Sequence, residues 1–205
     1  MGPRGDTKER LIASAIDLMH GRSYANVGVQ ELCNQAGVKK GSFYHFFPSK
    51  RDLTLAALDQ ECERLRRDLW ARAFSIDLPP LKRIERYLEL YYQSQRADWE
   101  ATGTVRGCPF GNLALELATQ DELIRERINL IFQESVNNLE KVLSEAVAVG
   151  DLPQLDIRRT AQAILAFMEG IILVAKSKND PEVIRELSSG VFQLCISGYS
   201  SETTH

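Results

Sequence analysis

Residues 29–53 read VQELCNQAGVKKGSFYHFFPSKRDL, and this stretch decides the fold. Val29, Leu32, Cys33 and Ala36 recur at helical spacing and give one short helix an apolar face. Gly37 stops it, and a second short helix is expected over Lys40–Phe46 before Pro48 interrupts. Two short helices joined at Ala36-Gly37-Val38 have the form of a helix-turn-helix. The second helix of such a pair needs donors for phosphates and small or polar groups for base edges. Lys39, Lys40, Ser42, Tyr44 and His45 supply them, with Lys50 just beyond. Tyr44, His45 and Lys50 are expected at phosphates, and Lys40 and Ser42 at bases. Gly41 has no side chain, so the backbone there admits a close approach by DNA. Phe43, Phe46 and Phe47 are apolar, and some of them must anchor so small a helix.

Helical punctuation continues on both sides. Upstream, Asp6 with Glu9 reads as a capping box, and Leu11, Ile12, Ala15, Leu18 and Met19 follow at helical spacing up to His20-Gly21. Downstream, Ser49 with Asp52 opens a fourth helix reaching about Phe74. Pro79-Pro80 starts a fifth, to about Trp99, and residues 102–107 form a loop. Pro109 opens a sixth helix. Thr119 with Glu122 is expected to cap the seventh, which ends at Gly150-Asp151. Asp156 caps the eighth, to about Ser177, and Asp180-Pro181 opens the last, to about Ser197. The expected architecture is all-α with nine helices. Residues 1–50 form a helix-turn-helix domain, and 51–205 a helical regulatory and dimerisation domain.

Composition narrows the function. Residues 1–51 carry a net charge of +4 and the remainder −7, so a basic head sits on an acidic body. Cys33, Cys62, Cys108 and Cys195 form no CxxC pair, and His20, His45 and His205 are the only histidines; neither a zinc framework nor any cofactor is expected. Cys62 is expected on a partly exposed helix face. No nucleophile motif, HExxH or phosphate-cradling glycine loop points to an enzyme. No run of about 18 uninterrupted apolar residues suggests a membrane span, and the polar start MGPRGDTKER has no secretion core; a cytoplasmic protein is expected.

The stretch around KGSFYHFFPSK, together with the first helix and the Ser23-Tyr24 turn, closely resembles the TetR-family signature. That resemblance implies a transcription regulator, most often a repressor. Such a protein binds palindromic double-stranded operator DNA as a homodimer and is released by a small-molecule inducer. The DNA-binding set it implies is Arg4, Gly28, Lys39, Lys40, Gly41, Ser42, Tyr44, His45 and Lys50. Gly28 departs from the Ser or Thr usual there, which keeps an acceptable N-cap but removes a hydroxyl.

The apolar stretch 161–175 reads as a helix buried on several sides. With the last helix, the resemblance makes it the dimer seam, through Phe167, Gly170, Val174, Val191, Leu194 and Cys195. Glu169 within it is a ligand contact or a paired structural carboxylate. Gly107-Cys108-Pro109 places Cys108 at a helix N-cap, where the free N–H groups favour thiolate. The segment GTVRGCPFGNLALEL with GIILVAK further on resembles the NemR-like, electrophile-sensing branch of the family. That implies a sensor site of Cys108, Phe110, Leu113 and Lys176. The competing readings are an inert Cys108 beside a reversible apolar ligand, and a helical protein-interaction bundle that binds no DNA.

Overall fold

A computed structural model describes residues 3–21 and 24–197. It is helical throughout, and no strand occurs among the described residues. The helices are α1 (Pro3–Gly21), α2 (Val29–Ala36), α3 (Lys40–Phe46), α4 (Lys50–Leu65, running on through a π-turn Arg66–Trp70 and Ala71–Ala73), α5 (Pro80–Thr102), α6 (Pro109–Leu117), α7 (Glu122–Ala148), α8 (Ile157–Lys178) and α9 (Glu182–Ser188 and Gly190–Ser197). A 3₁₀ turn, Tyr24–Asn26, precedes α2.

Most expected boundaries hold for the expected reasons. Ser49 accepts the Asp52 N–H at 3.3 Å and donates to its carboxylate at 2.6 Å, opening α4. Asp156 accepts from the Arg159 N–H at 3.0 Å; Asp180 accepts from the Glu182 N–H at 2.9 Å, but Pro181 takes the N-cap and the helix begins one residue later than expected, at Glu182. Two further caps fall elsewhere. Asp6 lies inside α1, paired with Arg10 at 3.4 Å, because the helix already begins at Pro3. Thr119 sits in a turn in which the N–H groups of Gln120 and Asp121 both bond the Leu117 carbonyl. Asp121 therefore caps α7, accepting from Ile124 at 3.2 Å.

The chain packs as two units. The first joins residues 1–64 with 108–130, and the second joins 65–107 with 131–205. A break at residue 50 would assign α6 to the body; packing groups it with α1–α3 and α4 up to Arg64, with Leu113 and Leu117 buried. The core of the first unit holds Leu11, Phe43, Leu53, Leu58 and Ile124. In the second, Ile84, Leu139, Leu143, Ile164, Met168 and Ile184 are buried. There α8 is long and apolar enough to cross a membrane by length and composition. Its buried face (Ile164, Met168, Ile171, Ile172 and Ala175) and its packing against α9 are those of a core helix.

Candidate DNA interface and regulatory site

The turn of the helix-turn-helix is set by Gly37, which adopts the left-handed conformation (φ 63°, ψ 38°) that favours glycine. The Val38 N–H bonds the Cys33 carbonyl at 2.9 Å, and Arg10 of α1 donates to the Ala36 carbonyl at 3.0 Å. The carbonyls at the end of α2 are thereby satisfied and the exit angle is fixed. Phe43 and Phe47 are the anchors of α3, 0% and 4% exposed, while Phe46 is half-buried. That orientation turns Lys39, Lys40, Gly41, Tyr44 and His45 outward, with Ser42 half-buried beside them. Among the described residues, neither Lys39 nor Lys40 forms a side-chain hydrogen bond or ion pair. A Cβ at Gly41 would meet nothing within 4 Å, so nothing inside the chain requires glycine there. Gly28 is exposed, extended (φ −87°, ψ 157°) and equally open. The Arg4 side chain and Ser23 lie outside the described residues.

Lys50 differs from the phosphate contact expected of it. Its ammonium donates to the carbonyls of Tyr24 at 2.6 Å and Val27 at 2.7 Å, and it lies 3.6 Å from the centre of the Tyr24 ring. Burial lowers its pKa, against the opposing pull of Glu116. Two of its three donors are thus used by the protein. The same turn is held from its other side by Glu116 of α6, which accepts from the N–H groups of Tyr24 at 2.8 Å and Ala25 at 2.9 Å. No local pattern marks Glu116, because its partners are more than ninety residues away in sequence.

A second group that sequence reading missed lies in the same unit. His20 and Glu61 are both buried, with nitrogen and oxygen 3.5 Å apart, and Arg64 pairs with Glu61 at 2.8 Å. Burial pushes the Glu61 carboxyl up, but His20 and Arg64 together outweigh it and hold the group at about 2. Cys62 is buried beside it rather than partly exposed, since this face of α4 turns inward.

Cys108 is the N-cap of α6 (φ −81°, ψ 121°), and its sulfur accepts from the Gly111 N–H at 3.4 Å. The cap was legible from Gly-Cys-Pro; the burial was not. Cys108 is 7% exposed, and Phe110 and Leu113 are buried in the same unit. Lys176 belongs to the other unit, exposed in the last turn of α8. The loop before Cys108 is tied within the second unit. Asn179 accepts the Val105 N–H at 2.8 Å and donates to the Gly103 carbonyl at 2.9 Å, and Gln95 accepts the Gly107 N–H at 3.2 Å. A groove of about 420 Å³ lies elsewhere in that unit, with Trp70, Phe74, Ile76, Arg83, Lys141 and Glu145 among its walls.

The expected dimer residues divide. Val191 and Cys195 are 0% exposed within the single chain, and burial pushes the Cys195 thiol up to about 11. They face the protomer's own core. Gly190 is half-buried, and a Cβ there would stand 2.7 Å from Cζ of Phe167. Gly170 and Val174 remain exposed, and Phe167 and Leu194 are half-buried. Leu173, Leu187 and Ile196 add further exposed apolar surface, 53%, 47% and 62%.

Two family models match this chain. Residues 11–57 match bacterial regulatory proteins of the tetR family, and residues 80–191 match a tetracyclin repressor-like C-terminal domain. The transcriptional repressor DhaR of Mycobacterium sp. (strain GP1) is 24% identical, covering 93% of this chain and 92% of its own. A regulatory protein TetR from Rhodobacter sphaeroides superposes with a TM-score of 0.80 at 29% identity, covering 90% of this chain and 96% of its own. The reduced form of Escherichia coli NemR gives 0.77 at 25% identity, with coverage of 95% and 99%.

Proposed function

Because the chain belongs to the TetR family of bacterial regulatory proteins, we propose that it is a cytoplasmic, homodimeric repressor that binds a palindromic operator with α3 in the major groove. The observation that carries this reading is the outer face of α3. Lys39, Lys40, Tyr44 and His45 project outward around a glycine that the fold itself does not need. Glycine in a helix costs up to about 1 kcal/mol relative to alanine, so its use at Gly41 favours a partner that comes close to the backbone. The test is operator binding by the triple variant Lys39→Ala, Lys40→Ala, Tyr44→Ala. Unchanged affinity overturns the assignment and leaves an interaction bundle.

Dimerisation is assigned to the faces of α8 and α9 that remain open: Gly170, Leu173 and Val174 with Leu187, Leu194 and Ile196. A two-fold axis there matches the symmetry of a palindrome.

The inducing event is assigned to Cys108. Supporting it are the N-cap position, the Gly111 N–H directed at the sulfur and the similarity to NemR. A small unsaturated carbonyl compound would form a bond from the sulfur to its β-carbon, and the thiol proton would pass to the α-carbon. The added group removes the cap from the first turn of α6 and so favours a conformation that does not bind DNA. The burial of Cys108 restricts the reagent to small molecules. Wild type and Cys108→Ser are to be treated with a quinone, a maleimide and hypochlorite before operator binding is measured. Equal loss in both proteins, or none in wild type, excludes Cys108 as the trigger and favours a reversible ligand.

A further inference from the structure

The turn that leads into α2 is held on both of its polar sides by charged groups distant in sequence. Its N–H groups, at Tyr24 and Ala25, go to the two carboxylate oxygens of Glu116. Its carbonyls, at Tyr24 and Val27, go to Lys50. The leading N–H groups of a helical turn have no partner within the turn itself, whereas the Tyr24 carbonyl also accepts the Val27 N–H at 3.2 Å. A carboxylate that takes two N–H groups at once makes charge-assisted bonds of defined direction. The Val27 side chain beside the turn is buried, and Gly28 caps α2 immediately after it. The position of the turn therefore sets where α2 begins, and the Gly37 corner then sets α3.

Glu116 stands on α6, whose N-cap is Cys108 and whose buried residues are Phe110, Leu113 and Leu117. We infer that Glu116 is a positioning residue for operator binding: its carboxylate fixes the entry to the helix-turn-helix relative to α6, and any displacement of α6 reaches α2 and α3 through these two hydrogen bonds. The inference rests on the operator-binding reading above. Glu116 touches no nucleic acid in this scheme, so its effect is on the geometry of α3 and not on the number of phosphate contacts. Arg51, 3.7 Å from Asp121, runs beside this link between the start of α4 and the cap of α7.

The test uses full-length wild type, Glu116→Ala and Glu116→Gln, well below each protein's melting transition. Two quantities are measured: amide hydrogen exchange at Tyr24 and Ala25, and operator affinity across a salt series. Glu116→Ala should raise exchange at both amides and weaken operator binding by about tenfold. The dependence of log affinity on log salt should keep its wild-type slope, because no cation is lost from the interface. Glu116→Gln should recover part of the affinity, since its one carbonyl oxygen can still accept one N–H. Faster exchange with unchanged affinity overturns the inference, as does unchanged exchange, or a shallower salt slope. If wild type itself shows no salt-dependent operator binding, the operator reading fails, whereas the exchange result still reports on the two hydrogen bonds.

Discussion

Lys40 and Lys50 stand ten residues apart and are used in opposite ways. On α3, the Lys40 side chain is exposed and forms no hydrogen bond or ion pair among the described residues. At the start of α4, the Lys50 ammonium is taken up by two carbonyls and an aromatic ring. The sequence signature presents both as cations of a DNA-binding segment. What separates them is the chain brought alongside: the turn at 24–27 offers Lys50 acceptors, while the outer face of α3 stays exposed among the described residues. A charge left over by the fold is available to a partner, and a charge the fold has taken up organises what carries the first kind.

The same contrast between open and occupied side chains governs the second unit, where the largest effect is expected. Leu173→Glu places a charge on an open apolar face, and sedimentation should show monomer; burying an unpaired charge in a seam costs several kcal/mol. Val191→Ala should instead lower the melting temperature, by about 1–3 kcal/mol of stability, and leave a dimer. If Val191→Ala dissociates the protein and Leu173→Glu does not, the assignment of open and occupied faces is reversed.

Next comes the triple replacement of Lys39, Lys40 and Tyr44 by alanine. Operator affinity should fall about a hundredfold, and the salt slope should become shallower, because the dimer loses both copies of each lysine. Lys50→Met should weaken binding less, by about tenfold, leave the slope at its wild-type value, and lower the melting temperature. A slope reduced by Lys50→Met would show that its third donor reaches a phosphate after all.

A smaller effect concerns Glu61, another occupied charge. Its carboxyl is held at about 2 in the folded protein, below its ordinary value of 4.5. A depressed carboxylate contributes stability that is present above the ordinary value and lost as pH falls toward the folded one. Wild type should therefore lose on the order of 2 kcal/mol between pH 5 and 2 through this group, and Glu61→Gln should flatten that part of the acid-unfolding curve. The smallest stability change belongs to Gly41→Ala, up to about 1 kcal/mol and in the stabilising direction, since a Cβ there meets nothing. Operator affinity should nevertheless drop, and a variant that binds as well as wild type would remove the case for close approach at this position.

The helices were legible wherever a local cause fixes them. Gly37, Ser49 with Asp52, Cys108-Pro109 and Asp156 each act through atoms within a few residues. Asp6 and Thr119 misled because a residue able to cap does so only where the backbone begins to wind, and α1 starts earlier while the turn at 118–121 delays α7. The candidate site divides along the same line. The outward face of α3 follows from helical spacing and two phenylalanine anchors. The grip of Glu116 and Lys50 on the 24–27 turn depends on segments brought together only by tertiary packing, and so does the pairing of His20 with Glu61. The dimer residues divide for a related reason. Helical spacing shows that α8 and α9 are apolar on more than one side, but it does not say which side α8 and α9 give to each other.

The burial of Cys108 also has a consequence for time. If Cys108 is the trigger proposed above, a thiol only 7% exposed would react in the fraction of molecules whose first α6 turn has opened. When reclosing is faster than the chemistry, the observed rate is the intrinsic rate multiplied by that fraction. Two reagents of very different size should then differ by how far the turn must open to admit them. With a sufficiently aggressive reagent, the rate should stop rising with concentration and settle at the opening rate itself. Response speed would be a property of the fold at that ceiling, tunable by substitutions that loosen or tighten the turn and leave the sulfur untouched.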